Sequence, residues 1–217
     1  RVQGNDAPKA VPAPSTQHPA PCTQILSRRC NSMSGKKKAV FVDRDGTLNV
    51  NIDYLADPEG YRLYPGSAEG LRLLREKGFF IVVVTNQSGI GRGLFDEKTL
   101  GRIHDRMKSD LAKGGASIDA LYFCPHTPED RCACRKPGTA MFERAIKEHG
   151  IDPRRSFVIG DMKMDIEAGR KIGARTALVP EPHNRQKTLN EMEGWGFRPD
   201  FVGKDLLSAA LWILDRD

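Results

Sequence analysis

The chain has 217 residues, 39% of them hydrophobic and 29% charged, which suits one sizeable soluble domain with its own core. Its formal net charge is +6, and half of that excess comes from Arg1, Lys9, Arg28 and Arg29 against Asp6 in the first 35 residues. The remainder is nearly balanced, which excludes a nucleic-acid-sized basic surface, and no apolar run is long enough to span a membrane.

Residues 1–32 are rich in Pro, Ala, Ser, Thr and Gln and have no hydrophobic period. Such a segment buries too little apolar surface to offset its ordering entropy, so a disordered tail over 1–35 is expected ahead of one domain over 36–217. Met33-Ser34-Gly35 reads as a natural start, with the upstream stretch a translated leader or, alternatively, an Arg/Ser-containing targeting peptide. The basic run at 36–38 reads as a solvated strand entry. Ala39-Val40-Phe41-Val42 then gives a short buried strand that stops at two carboxylates, Asp43 and Asp45, followed by Gly46 and Thr47. Like charges this close repel, and a divalent cation resolves the conflict by drawing both into its coordination shell.

Residues 50–64 read as a loop with a turn at Asp57-Pro58-Glu59-Gly60, and a helix follows over 68–77. A second buried strand at 79–84 runs into Thr85-Asn86-Gln87-Ser88-Gly89, and 95–113 has helical spacing. A third strand, 118–123, leads into a Cys/His cluster; a helix over 139–149 closes at Gly150; a fourth strand, 157–159, ends in Gly160-Asp161. A helix over 165–172, a strand over 176–179, a short strand at 200–202 and a helix over 206–214 complete the series. Strands alternating with helices predict an α/β fold with a doubly wound parallel sheet, whose ligands bind at the carboxyl ends of the strands. The polar clusters all fall at those ends.

The residue types there suggest a chemistry. Asp43 at a strand tip suits a carboxylate nucleophile, and Asp45 suits a proton donor and acceptor. Asp161 suits a further metal ligand, with Asp165 one helical turn on to position the metal or its waters. Thr85 and Asn86 offer a hydroxyl, an amide and backbone N–H groups to phosphate oxygens. Lys136 could neutralise a transferring phosphoryl group, and Arg135 could grip a second anion in a bidentate manner. The five cysteines are Cys22, Cys30, Cys124, Cys132 and Cys134. An odd count, with three beside His126, argues for metal in a reducing, cytoplasmic compartment rather than for disulfides. Cys124, His126, Cys132 and Cys134 suit a closed tetrahedral zinc site that pins the loop carrying Arg135 and Lys136.

Asp43-Arg44-Asp45-Gly46-Thr47, Thr85-Asn86-Gln87-Ser88-Gly89, Arg135-Lys136-Pro137 and Gly160-Asp161, in this order, resemble the haloacid dehalogenase (HAD) superfamily of phosphatases. The zinc cluster narrows the resemblance to the branch holding histidinol-phosphate and heptose-bisphosphate phosphatases. The resemblance covers about residues 38–180. It implies a cap-less, HAD-like Rossmannoid phosphatase with Asp43 as nucleophile and Asp45 as acid and base. It also implies Mg²⁺ on Asp43, Asp45 and Asp161, with the backbone carbonyl of Met162 assisting. Thr85 and Lys136 would then stabilise the phosphoryl group. Asn51, Ile52, Asp53, Tyr54, Asn86, Gln87 and Ser88 would line a small sugar phosphate, with Arg135 at its remote end.

Asp45-Gly46-Thr47-Leu48-Asn49 and the run at 85–93 look closer to the heptose enzymes; the short insert at 127–131 looks closer to the histidinol-phosphate group. Gly138-Thr139-Ala140 also follows Pro137, where a heptose enzyme is expected to carry His-Pro-Gly. The expected partner is a phosphorylated small molecule, with no nucleic acid or membrane, and the chain is expected to be a monomer. A zinc-stabilised binding module whose acidic cluster merely holds a metal is the reading from another class. An intact set of Asp43, Asp45, Lys136 and Asp161 speaks against it.

Overall fold

A strand buried on both faces must be apolar at every position, and β1 (Ala39–Val42) is: all four residues are buried. In the computed structural model, which describes residues 35–217, β1 lies at the centre of a parallel sheet with the order β3-β2-β1-β4-β5-β6. The other strands are β2 (Phe80–Asn86), β3 (Ala120–Cys124), β4 (Phe157–Gly160), β5 (Arg175–Leu178) and β6 (Phe201–Val202). The expectation of a disordered tail, with Cys22 and Cys30, lies outside the described residues.

Alternation along β1 sorts the core into two layers. Val40 and Val42 face α1 (Ser67–Glu76), α3 (Glu97–Lys113) and α7 (Leu206–Leu214), which contribute Leu71, Ile103, Met107 and Ile213. Ala39 and Phe41 face α4 (Ala140–His149) and α5 (Lys163–Lys171), with Met141, Phe142 and Ala168 packed there. Helices on both faces of a parallel sheet make this the doubly wound architecture the sequence predicts. Among the described residues no further domain is inserted above the strand tips, and no helix is long and apolar enough to cross a membrane.

Most boundaries fall within two residues of expectation, and the larger differences have physical reasons. β2 continues through Thr85 and Asn86, which pair with Phe123 and Cys124 of β3, because a backbone ladder does not require apolar side chains. The helix expected over 95–113 is α3, which starts two residues later because Asp96 caps it, its side chain accepting from the Thr99 N–H, and a short helix not anticipated, α2 (Ser88–Gly91), precedes it. A helix not anticipated, α6 (Arg185–Met192), has no buried residue and therefore no apolar stripe to betray it.

Candidate active site

The strand order reverses beside β1, between β2 on one side and β4 on the other, and the crevice at that switch point is where such sheets bind ligands. Asp43 is the first residue beyond β1, anchored by its N–H to the Ile159 carbonyl of β4 at 2.9 Å. Its Oδ1 accepts from the Arg44 N–H at 2.7 Å and faces the Lys136 ammonium at 2.7 Å. Lys136 Nζ also lies 2.6 Å from Asp165 Oδ1 and donates to the Val84 carbonyl at 3.0 Å. The Asn86 side chain holds the Lys136 main chain, with Oδ1 accepting from its N–H at 3.0 Å. Burial pushes the Asp43 carboxyl up to about 7, assisted by the charge of Asp165 and opposed by Lys136. Burial would lower Lys136, but Asp165 and Asp43 outweigh it and keep the ammonium charged.

Asp45 sits in a different environment. Arg44 grips it with two hydrogen bonds, Nε to Oδ1 at 3.0 Å and Nη2 to Oδ2 at 2.7 Å. Asn49 donates to Oδ1 at 3.0 Å and Gln87 to Oδ2 at 2.7 Å. Burial opposes ionisation, but Arg44 and these donors hold the carboxyl below its ordinary range. Arg44 is itself buried, with Nη1 3.1 Å from His104 Nε2. A guanidinium only donates, so Nε2 accepts and the His104 proton resides on Nδ1. Burial, then the neighbouring Arg44 charge, holds His104 far below its ordinary value and hence neutral.

The sequence reading missed this Arg44–His104 support, and both residues left a signal. Arg44 is a cation between two carboxylates, and His104 is a polar residue on the buried stripe of Leu100, Ile103, Met107 and Leu111.

Three carboxylates, those of Asp43, Asp161 and Asp165, bring oxygens within 4.8 Å of one another. Asp45 does not belong to that group, because its carboxylate is committed to Arg44, Asn49 and Gln87. Asp161 is buried and receives the Thr47 hydroxyl at 3.1 Å. Burial, then the charges of Asp43 and Asp165, pushes its carboxyl far up. With all three carboxyl groups ionised, Lys136 cancels one charge and leaves two for a counterion. Hard oxygen donors with that charge deficit fit a divalent cation such as Mg²⁺. Gly46, with φ +86°, makes the approach possible: a Cβ there would lie 2.6 Å from Asp161 Oδ2.

A cleft of about 250 Å³ opens over these groups. It is lined by every residue expected to catalyse, bind substrate or hold Mg²⁺: Asp43, Asp45, Asn51, Ile52, Asp53, Tyr54, Thr85, Asn86, Gln87, Ser88, Arg135, Lys136, Asp161 and Met162. Arg44, Phe95 and Met164 also line it. Ile52, Tyr54 and Met162 are exposed at its rim.

Beside it, Cys124, His126, Cys132 and Cys134 converge. Cys134 Sγ lies 3.1 Å from Cys124 Sγ and 3.2 Å from His126 Nδ1, and Cys132 Sγ is 3.5 Å from both other sulfurs. Three thiols and one imidazole at these separations fit a tetrahedral zinc ion with no ligand position left over. The Arg135 N–H donates to Cys132 Sγ at 3.3 Å, and the Arg135 guanidinium reaches the His126 carbonyl at 3.4 Å, so the cluster is tied to the residue facing the cleft.

A strand-tip aspartate paired with a buried lysine, beside an acidic cation cradle on a parallel sheet, defines a phosphatase of the HAD class. A family model described as HAD-hydrolase-like matches residues 133–209. The chain is 40% identical over 150 residues to the D-glycero-beta-D-manno-heptose-1,7-bisphosphate 7-phosphatase of Haemophilus ducreyi, covering 66% of this chain and 82% of that one. It is 42% identical over 136 residues to a probable D-glycero-D-manno-heptose-1,7-bisphosphate 7-phosphatase of Thermoplasma volcanium, covering 62% and 93%. A crystal structure of the D,D-heptose 1,7-bisphosphate phosphatase from B. bronchiseptica, complexed with magnesium and phosphate, superposes with a TM-score of 0.75. That pair is 36% identical, and the match covers 83% of this chain and 99% of that one. The chain therefore belongs to the HAD-like hydrolases, in the family of the D-glycero-D-manno-heptose-1,7-bisphosphate 7-phosphatases.

Proposed function

We propose that the chain is a Mg²⁺-dependent phosphomonoesterase of carbohydrate metabolism that removes the 7-phosphate of D-glycero-D-manno-heptose 1,7-bisphosphate. The observation that carries the reading is the pairing of Asp43 with Lys136 and Asp161 at the switch point, in a chain so similar to these relatives. Asp43 attacks phosphorus while the sugar alkoxide leaves, giving a phospho-aspartate; water then attacks that phosphorus and regenerates Asp43. Asp45 gives its proton to the departing alkoxide and takes one from the water. As it stands, gripped by Arg44, it is set for the second task. To carry a proton for the first it must shed part of that grip, and Gln87, on the cleft wall, is the partner that substrate reaches.

Lys136 and the Thr85 hydroxyl face the phosphoryl oxygens, where charge accumulates. Mg²⁺, held by Asp43 and Asp161, neutralises the phosphoryl group when bound. Uncatalysed hydrolysis of phosphate monoesters is so slow that enzymes supply up to about 10²¹-fold, which no single group provides.

Arg135 is the natural partner for the remote phosphate, with Asn51, Ile52, Asp53, Tyr54, Asn86, Gln87 and Ser88 around the sugar. Zinc on Cys124, His126, Cys132 and Cys134 holds the loop that presents Arg135 and Lys136. The domain spans residues 36–217 and acts as a cytoplasmic monomer.

A histidinol-phosphate phosphatase is the second reading, favoured by the short insert at 127–131, while Pro137-Gly138-Thr139 departs from the heptose pattern. Phosphate release from the two substrates, at matched concentration with Mg²⁺, separates them. Preference for the bisphosphate is expected; preference for histidinol phosphate would transfer specificity to the zinc loop and refute the heptose reading.

A further inference from the structure

On the Asp161 side of the cleft lies a second cavity of about 190 Å³, which shares Asn51, Asp161 and Met162 with it and is closed on its far side by Glu181 and α6. Glu181 follows β5 and belongs to none of the motifs that define the site. It is 4% exposed, and a carboxylate so buried needs partners for its lone pairs. Oε2 has them: the Asn184 amide donates at 3.1 Å, and His183 Nε2 lies 3.4 Å away. Oε1 has none among the described residues. Tyr64 lies near both acids: its phenol is pushed up by burial, then by the charges of Glu181 and Asp161, and it is hydrogen-bonded to the Glu181 side chain as well. The charge of Glu181 also bears on Asp161.

Taken alone, this arrangement is unfavourable. A buried carboxylate with an empty acceptor faces a cradle whose three carboxyl groups outnumber its one ammonium. A divalent cation in the cradle reverses the sign of the interaction. Mg²⁺ also keeps several of its waters, each a strong donor.

We infer that Glu181 is a positioning residue for the cation held by Asp43 and Asp161, accepting at Oε1 a hydrogen bond from water the cation retains. The inference rests on the reading of that cradle as a divalent-cation site. Outer-shell carboxylates of this kind typically change metal affinity by about 10–100-fold when removed. Glu181 touches neither substrate nor phosphorus, so its loss weakens metal binding and leaves the chemical step nearly intact.

The test is a titration of the full, zinc-loaded chain with Mn²⁺, following free Mn²⁺ by its EPR signal, in wild type, Glu181→Gln and Asp161→Asn. Glu181→Gln is expected to bind Mn²⁺ about tenfold more weakly. The Mg²⁺ concentration for half-maximal turnover should rise by the same factor, with kcat at saturating Mg²⁺ within about twofold of wild type. Thermal unfolding in Mg²⁺-free buffer should be unchanged or raised in the variant, because a buried acceptor without a donor and a charge bearing on Asp161 have both gone. A merely structural role would lower it. Mn²⁺ affinity within twofold of wild type, or tighter, overturns the inference. If Glu181→Gln does not fold, Glu181→Asp, which withdraws the charge by one methylene, should also bind Mn²⁺ more weakly, and unchanged affinity there overturns it equally. Should wild type and Asp161→Asn bind Mn²⁺ alike, the cradle reading itself fails, which is a different result.

Discussion

Two sets of metal-competent side chains gather at the carboxyl edge of one sheet, with β2 between the strands that lead to them, and they differ in nearly everything else. The cradle of Asp43, Asp161 and Asp165 is built of oxygen, borders an open cleft and carries more negative charge than Lys136 cancels. The cluster of Cys124, His126, Cys132 and Cys134 is built of sulfur and nitrogen, lies outside the cleft and fills a tetrahedron by itself. One leaves coordination positions free and strains the protonation of its members; the other leaves none. A surplus of charge at an opening is what chemistry on a phosphoryl group requires, whereas a saturated site only holds the chain in place.

The contrast can be broken most severely at the nucleophile. Asp43→Asn should reduce phosphate release by about 10⁴-fold or more, because no other group can form the covalent bond. It should leave the unfolding temperature in Mg²⁺-free buffer unchanged or raised, since a buried carboxylate has gone. Retained turnover would sink the covalent mechanism. Lys136→Met comes next and affects both properties. Removing the ammonium strands Asp43 and Asp165 without their cation, a loss of about 3–5 kcal/mol for a buried pair, and urea unfolding should register it together with loss of turnover.

Cys132→Ser probes the other cluster. Bound zinc should be lost by elemental analysis, the unfolding temperature should fall by about 5–10 °C, and kcat/KM should fall about tenfold through Arg135 and Lys136. A variant that loses zinc but keeps its stability would remove the structural role.

The smallest effect concerns pH. The Asp43 carboxyl is raised from 3.8 to about 7, so between those values the folded state holds a proton the unfolded chain has lost. Stability in Mg²⁺-free buffer should therefore fall as pH rises through this window, and Asp161 acts in the same direction. Asp45 is lowered instead, and its contribution is lost only below 3.8, outside the window. Thermal melts should drop by about 5 °C between pH 5 and 7.5, and saturating Mg²⁺ should flatten the trend by holding both carboxylates ionised. A slope that persists in Mg²⁺ would place the titrating group elsewhere.

Much of this was legible before any coordinates. Apolar runs ending in polar clusters gave the strands and put Asp43, Thr85, Cys124 and Asp161 at one edge, because a parallel sheet aligns its carboxyl ends. Spacing marked the Cys/His cluster for the same reason that suits it to a metal: soft ligands rarely crowd by chance. What could not be read was which neighbour each side chain would choose. Asp45 looked like a partner of Asp43 in the cradle, yet Arg44, Asn49 and Gln87 turn its carboxylate away, and that contest is decided by packing around a buried guanidinium. Helix α6 was invisible because nothing on it is buried. Glu181, far along the chain from the acids it faces, carried no local signal at all.

The hold of Asn86 on Lys136 has a further consequence. Asn86 pairs with Cys124 through its main chain and with the Lys136 main chain through its amide, so the loop after the Cys/His cluster is fastened to the sheet as another strand would be. The ammonium is therefore held from the sheet itself, donating to the Val84 carbonyl of β2 between Asp43 and Asp165. Substrate meets charges already in place, and association need not wait for a segment to order itself; the free energy of the encounter goes to the phosphoryl group.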